Sequence, residues 1–297
     1  MSESQKGILA MICACVVWGL SPLYYKLLAH IAPIEVLAHR TLWSLVIFAA
    51  LLMLQGRLGQ LGDAMKQGRG VAIICFAALM ISINWFVFIW SIGNNHATEA
   101  SLGYFLFPLV AVLFGRVIFG EALNRLQWVA VGLALCAVLV LTIGLGVAPW
   151  IALILATTFG LYGVVKKRLT LGPVVSVTAE VLVLVPIALG VLYMFHTGEA
   201  GGRFGPANPG DSGLLVLSGA LTATPLILFS YATKRAKLST VGLLQYLNPT
   251  LQFMCAVMIF GEPFGFWHAV AFPVIWLALA IYTVASLRQD RAVSKAV

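Results

Sequence analysis

Long apolar stretches divided by short polar joints recur along the whole chain. Runs of helix length cover 7–28, 35–55, 71–92, 99–119, 126–145, 148–168, 174–195, 213–233, 240–260 and 266–287. A helix rises 1.5 Å per residue, so about 20 apolar residues cross the hydrocarbon of a bilayer. None of the runs alternates apolar and polar residues with the period of two that a spanning strand needs. The pattern predicts an all-α membrane protein of ten transmembrane helices. Gly7–Leu28 is too long for the apolar part of a signal peptide and reads as a retained first span.

Composition agrees. Of 297 residues, 61% are hydrophobic and 9% charged, with a mean hydropathy of +1.01. A soluble domain carries about 25% charged residues, so this excess of apolar surface has to face lipid. A soluble enzyme and a nucleic-acid reader are excluded together. The five cysteines, Cys13, Cys15, Cys75, Cys136 and Cys255, all lie inside apolar runs without a CxxC pair. They read as buried small hydrophobes, with no disulfide or metal site.

The net charge of +8 acts through its distribution. With the N-terminus inside, the inner segments collect Lys6, Arg57, Lys66, Arg69, Arg116, Arg125, Lys166, Lys167, Arg168, Lys234, Arg235, Lys237, Arg288, Arg291 and Lys295, which is 15 of 18. The outer loops hold only Arg203, and Lys26 and Arg40 fall within spans. Positive residues stay on the cytoplasmic side, so both termini are expected in the cytoplasm. The inner joint Gly56–Gly70 reads as part surface helix. The long outer loop His196–Ser212 reads as a flexible connector without a site.

The chain also repeats itself. Phe119-Gly120-Glu121 recurs as Phe260-Gly261-Glu262, an offset of 141, and the same offset carries Gly19 onto Gly160, Lys26 onto Lys167, Ala38 onto Ala179, Leu102 onto Leu243 and Pro108 onto Pro249. Two units follow, 1–145 and 146–297, of five spans each. Five is odd, so the second unit sits inverted relative to the first. Inverted repeats are how many secondary transporters build two interconvertible states around a site at the midplane.

Five motifs stand out: Trp18-Gly19-Leu20-Ser21-Pro22-Leu23-Tyr24-Tyr25-Lys26, Glu35-Val36-Leu37-Ala38-His39-Arg40 with Trp43-Ser44, Asn84-Trp85, Ser101-Leu102-Gly103-Tyr104-Phe105 with Pro108, and Leu238-Ser239 through Gly242-Leu243-Leu244-Gln245-Tyr246 with Pro249-Thr250. Together they resemble the RarD group of the EamA family, within the drug/metabolite transporter superfamily. The resemblance covers about residues 6 to 287. It implies a ten-helix inner-membrane permease of two inverted five-helix EamA repeats, in a superfamily that exports amino acids, metabolites and drugs. It fixes no substrate.

Polar residues inside the spans are the candidate site, because each is costly in hydrocarbon. Glu180 lies about 10 Å into span seven by helical rise. It is either a proton-coupling group, a protonated acid in an interhelical hydrogen bond, or the partner of Lys166 or Lys167. Arg40 enters span two from the outside, where it either binds a substrate carboxylate in an outer vestibule or snorkels to headgroups, as Lys26 is expected to do. Glu35 stands one turn before His39 and is expected to hold it; a metal site from His30, Glu35 and His39 lacks a ligand set. Gln245, Asn248 and Gln252 form a stripe in span nine whose repeat partners are Tyr104, Phe107 and Ala111, an amide wall facing an aromatic one. Asn84 lines a cavity or joins helices, and Trp85, Trp18 and Tyr162 are candidates for stacking on a ring. Pro22, Pro108, Pro225 and Pro249 are candidate hinges. Glu121 and Glu262, at helix ends, read as structural.

The expected substrate-binding set is therefore Trp18, Arg40, Asn84, Trp85, Tyr104, Tyr162, Gln245 and Asn248, with Glu180 for protons and no cofactor. The expected function is alternating-access transport, in the export direction, of a small amphipathic metabolite, amino acid or drug; membrane lipids surround it and no nucleic acid takes part. The alternatives are a flippase for a lipid-linked substrate, which needs a lateral opening, and an intramembrane enzyme. For the latter the chain lacks GxSxG, HExxH and paired intramembrane carboxylates.

Overall fold

Helix starts are written locally. Ser2 and Asn124 accept the N–H groups of Gln5 and Gln127 at 3.2 and 2.9 Å, and each glutamine side chain accepts the capping residue's own N–H in return, satisfying donors that a helix end leaves open. Pro33 and Pro173 sit in the first turn of two more helices, where a missing N–H costs nothing. In a computed structural model of the chain the helices are α1 (Glu3–Gly19), α2 (Ser21–Leu27), α3 (Pro33–Leu54), α4 (Leu58–Lys66), α5 (Gly68–Gly93), α6 (Ala97–Phe119), α7 (Arg125–Leu145), α8 (Trp150–Arg168), α9 (Pro173–Thr197), α10 (Pro209–Thr233), α11 (Leu247–Met254, continued by a π-helical turn Cys255–Ile259) and α12 (Phe266–Ala296).

The structure describes residues 2–66, 68–120, 123–146, 148–169, 171–198, 201–233, 235, 241 and 244–296, with backbone alone at 69, 119, 167–168, 286–287 and 289–296. Glu121, Leu238, Ser239, Gly242, Leu243 and the side chain of Lys167 lie outside the described residues.

Among the described residues, eight helical segments are long and apolar enough to cross a membrane, and two shorter apolar ones, Trp150–Lys166 and Leu247–Ile259, stand where spans six and nine are expected. The molecule is a multi-pass, all-helical membrane protein. α4 is the short helix expected in the joint between spans two and three.

Packing follows the repeat. The closest helix neighbours form a closed ring, α6–α8–α5–α9–α3–α10–α1–α11 and back to α6. Every step of that ring joins a helix of the first repeat to one of the second. The pairs are also exchanged by the offset: α1 on α10 answers α8 on α5, and α6 on α8 answers α11 on α1. α7 and α12 pack on each other outside the ring. Gly120 and Gly261, one offset apart, both close a turn at φ of +68° and +66°, where a side chain would clash with the backbone.

Predicted spans one and nine are not single helices. Span one breaks at Leu20, before Pro22, and span nine at Gln245–Tyr246, before Pro249. Their repeat partners α8 and α6 run unbroken. Pro108 and Pro225, in contrast, lie inside continuous helices. Only Cys15 and Cys255 are buried; Cys13, Cys75 and Cys136 face outward, correcting the expectation for those three.

The long outer loop is also not a free connector. Glu35 Oε1 accepts the Arg203 N–H at 2.7 Å instead of holding His39. The Phe204 ring packs 4.7 Å from His39 and 6.1 Å from Trp43. The ring nitrogens of His196 lie 2.9 and 3.0 Å from the carbonyl oxygens of Leu192 and Phe204. His30 pairs with Asp211, so the three residues weighed as a metal set go separate ways.

α3 and α10 approach at Gly219, where a Cβ would stand 2.5 Å from the carbonyl carbon of Trp43. Backbone cannot yield as a side-chain end does, so Gly219→Ala is expected to cost about 1–3 kcal/mol as an overpacked contact. A melting curve of the purified protein in detergent, lower by several degrees, checks it; an unchanged curve contradicts this packing.

Candidate functional site: a cavity inside the helix ring

The ring encloses a cavity of about 760 Å³ to which all eight of its helices contribute. Trp18, Arg40, Asn84, Trp85, Tyr104, Tyr162, Gln245 and Asn248 are all on its wall. So are the rest of the two facing stripes, Phe107 and Ala111 opposite Gln252. Inverted repeats account for this: a position that faces the pseudo-twofold axis in one copy faces it in the other.

The cavity reaches one face of the molecule. Its lining includes Leu169, Leu171 and Pro173 at the α8–α9 joint, and Tyr282 and Thr283 midway along α12. Among the described residues, none from the joints at the opposite face takes part. That face is sealed instead. Glu262 accepts the N–H groups of Ala97 and Thr98, both at 2.7 Å, across the start of α6, and Tyr24 donates to the Leu214 carbonyl at 2.6 Å. Lys26 reaches its helix end as expected, but protein holds it there: Nζ donates to Asn95 Oδ1 at 2.6 Å and lies 5.1 Å above the Phe260 ring.

Arg40 is neither in an outer vestibule nor at the headgroups. It is 6% exposed and points into the closed end of the cavity. Nη1 donates to the Tyr25 hydroxyl at 2.7 Å, and the guanidinium lies 4.1 Å from the centre of the Trp85 ring.

Asn84 both lines and joins. Its amide donates to the Leu155 carbonyl at 2.9 Å and to Thr158 Oγ1 at 3.1 Å, and its oxygen accepts the Tyr104 hydroxyl at 2.9 Å. Those bonds tie α5 to α8 and fix Tyr104, so Asn84 acts on the cavity by positioning Tyr104. Asn248 accepts from Gln252 at 3.0 Å, whereas Gln245 stands exposed at the helix break. Trp18 packs 6.2 Å from Phe229. The Phe159 ring lies between Phe107 at 4.7 Å and Tyr162 at 6.0 Å, which makes one wall a continuous aromatic surface.

Glu180 is 1% exposed and lies just behind the wall. Three cavity-lining groups donate to it: the ammonium of Lys166, Ser176 Oγ at 2.9 Å and the Tyr162 hydroxyl at 3.0 Å. An ion pair with Lys166 is thus the arrangement present. Lys166, Ser176 and Tyr25 are residues that sequence reasoning left out of the site. The offset held a signal, since it carries Tyr25 onto Lys166 and His39 onto Glu180.

Comparison with known proteins places this geometry. The model of the EamA-like transporter family matches residues 5–143 and again 147–284. Protein RarD of Streptomyces exfoliatus is 42% identical, over 98% of this chain and 92% of its own. An uncharacterized transporter of Bacillus subtilis, YojE, is 40% identical over 98% of both chains. Protein RarD of Escherichia coli K12 is 36% identical over 99% of both. One crystal structure, at 18% identity, superimposes with a TM-score of 0.62 over 96% of this chain and 99% of its own, a likeness of fold alone.

Proposed function

Because the chain belongs to the EamA-like transporter family, we propose that it is a secondary carrier which exports a small amphipathic metabolite, amino acid or drug across the inner membrane by alternating access. The observation that carries this reading is a cavity walled by helices taken in turn from two inverted repeats and reaching one face only. The lysine and arginine distribution makes that face the cytoplasmic one, so the structure corresponds to an inward-facing state. The units 1–145 and 146–297 then exchange roles in the outward-facing state, with α8 and α6 taking the broken form of their partners. The eight wall residues form the binding set, and no catalytic step is involved.

The closed ring supports a central route over the lateral one that a lipid-linked substrate requires. Coupling falls to Glu180: when Lys166 turns to another anion, a proton can replace it on the carboxylate at no cost in net charge. The test is counterflow in proteoliposomes with labelled amino acids and amphipathic drugs, for the wild type and Glu180→Gln. Both are expected to exchange a compound, and only the wild type to accumulate it against its gradient under a pH difference. Equal accumulation by both removes Glu180 from coupling, and no exchange of any compound by the wild type argues against a small-molecule carrier.

A further inference from the structure

This inference rests on the carrier reading and narrows its substrate. The charge around the cavity does not cancel. Lys166 and Glu180 neutralise one another, which leaves the guanidinium of Arg40. Among the described residues no carboxylate lies within ion-pair distance of Arg40, and its buried Nε has no hydrogen-bond partner. Tyr25 takes one of its five N–H groups, and Trp85 and Tyr25 offer ring faces at 4.1 and 5.7 Å.

A lysine in such a place could give up its proton, but a guanidinium cannot. Ring faces compensate a desolvated cation only in part. The site therefore holds a permanent positive charge with unfilled donors at the closed end of a chamber. The rest of the chamber is mostly aromatic, with Phe88, Tyr104, Phe107 and Phe159 among its walls. A planar donor fork matches a carboxylate, and flat apolar walls match a ring.

We propose that the substrate is a small organic monoanion, a carboxylate on an aromatic or compact apolar body. Its carboxylate lies on the free edge of Arg40 and its body lies along the aromatic wall toward the mouth. Cationic amphiphiles are rejected, because they would place a second unpaired positive charge beside Arg40.

The test needs matched probes that differ only in charge. Benzoate, phenylacetate and indole-3-acetate form the acid arm, the corresponding amides the neutral arm, and benzylamine, phenethylamine and tryptamine the cationic arm. Binding to the purified protein in phosphatidylcholine nanodiscs is read by tryptophan fluorescence, and exchange by counterflow of the labelled compounds. The acids are expected to bind at least tenfold more tightly than their amides, and the amines not to bind. Arg40→Gln should erase the preference for acids, and Arg40→Lys should keep the sign of the preference at reduced strength.

The wild-type comparison stands even where a variant fails to fold. Amides or amines binding as tightly as the acids overturns the anion assignment while leaving the carrier reading in place. Failure of all nine compounds to bind or exchange overturns the assignment, and the broader panel above then decides the carrier reading separately. Nanodiscs containing phosphatidylglycerol provide the remaining control: loss of acid binding there would show that Arg40 serves a lipid headgroup, and would overturn the proposal.

Discussion

Lys166→Met is expected to destabilise the protein strongly, and adding Glu180→Gln is expected to restore most of the loss. Glu180 is buried, and Lys166 is its sole cationic partner among the described residues. Removing one member of a buried pair costs about 3–5 kcal/mol, because the other charge remains in low dielectric. Lys166 keeps 24% of its side chain exposed, which lets water supply part of the compensation and sets the expectation near the lower end of that range. Ser176 and Tyr162 still donate to the carboxylate, but neither carries charge. In the double variant no charge remains to be stranded; the amide oxygen can accept one of those two bonds, and the amide nitrogen can donate to the oxygen of the other hydroxyl. Melting in detergent, followed by the monodisperse fraction on size exclusion, reads both steps. A single variant as stable as the wild type would show that the pair contributes nothing to folding, and a double variant no better than the single would show that lost packing of the lysine stem is the cause.

Glu262→Ala is expected to release the sealed face. Its two oxygens take the first N–H groups of α6, which have no partner within their own helix. The carboxylate is 6% exposed and also faces the positive end of the helix dipole. A hydrogen bond to a charged group contributes about 1.5–3 kcal/mol. Losing one such bond raises local opening at the start of α6 by about 10- to 150-fold, taking 1.4 kcal/mol per factor of ten, and Glu262→Ala loses both, so a rise of at least that size is expected. Hydrogen exchange over residues 97–101 measures that opening directly. Glu262→Gln should fall between, because one amide oxygen can accept while the amide nitrogen faces a donor. Unchanged exchange in Glu262→Ala would mean that the seal does not depend on this cap.

The helices were legible because their causes are local or periodic. Hydrophobic runs, prolines in first turns and the capping boxes at Ser2 and Asn124 act within a few residues. The placement of the wall was legible through the repeat, since the 141-residue offset pairs Tyr104 with Gln245 and Phe107 with Asn248. Helix breaks were less so. Pro22 and Pro249 promise a break, yet Pro108 promises the same and α6 stays continuous through it. Whether a helix opens depends on which neighbours can take up its freed carbonyls.

The sequence by itself determined that this chain crosses a membrane repeatedly, that it does so as two related halves, and which polar residues had to be accounted for. The cost of a polar group in hydrocarbon depends on residue type alone. Tertiary structure alone decided how each cost is met. Glu180 and Lys166 stand 14 residues apart on different helices; Arg40 points inward to the Trp85 ring; Glu35 turns from His39 to a loop N–H; and Glu262 caps a helix that starts 165 residues earlier. Two of those pairings, Glu35 with the Arg203 N–H and Glu262 with the start of α6, join the two repeats, and the other two join neighbouring helices within one repeat. Contacts between distant segments are fixed by the geometry of the assembled ring, which no local pattern encodes.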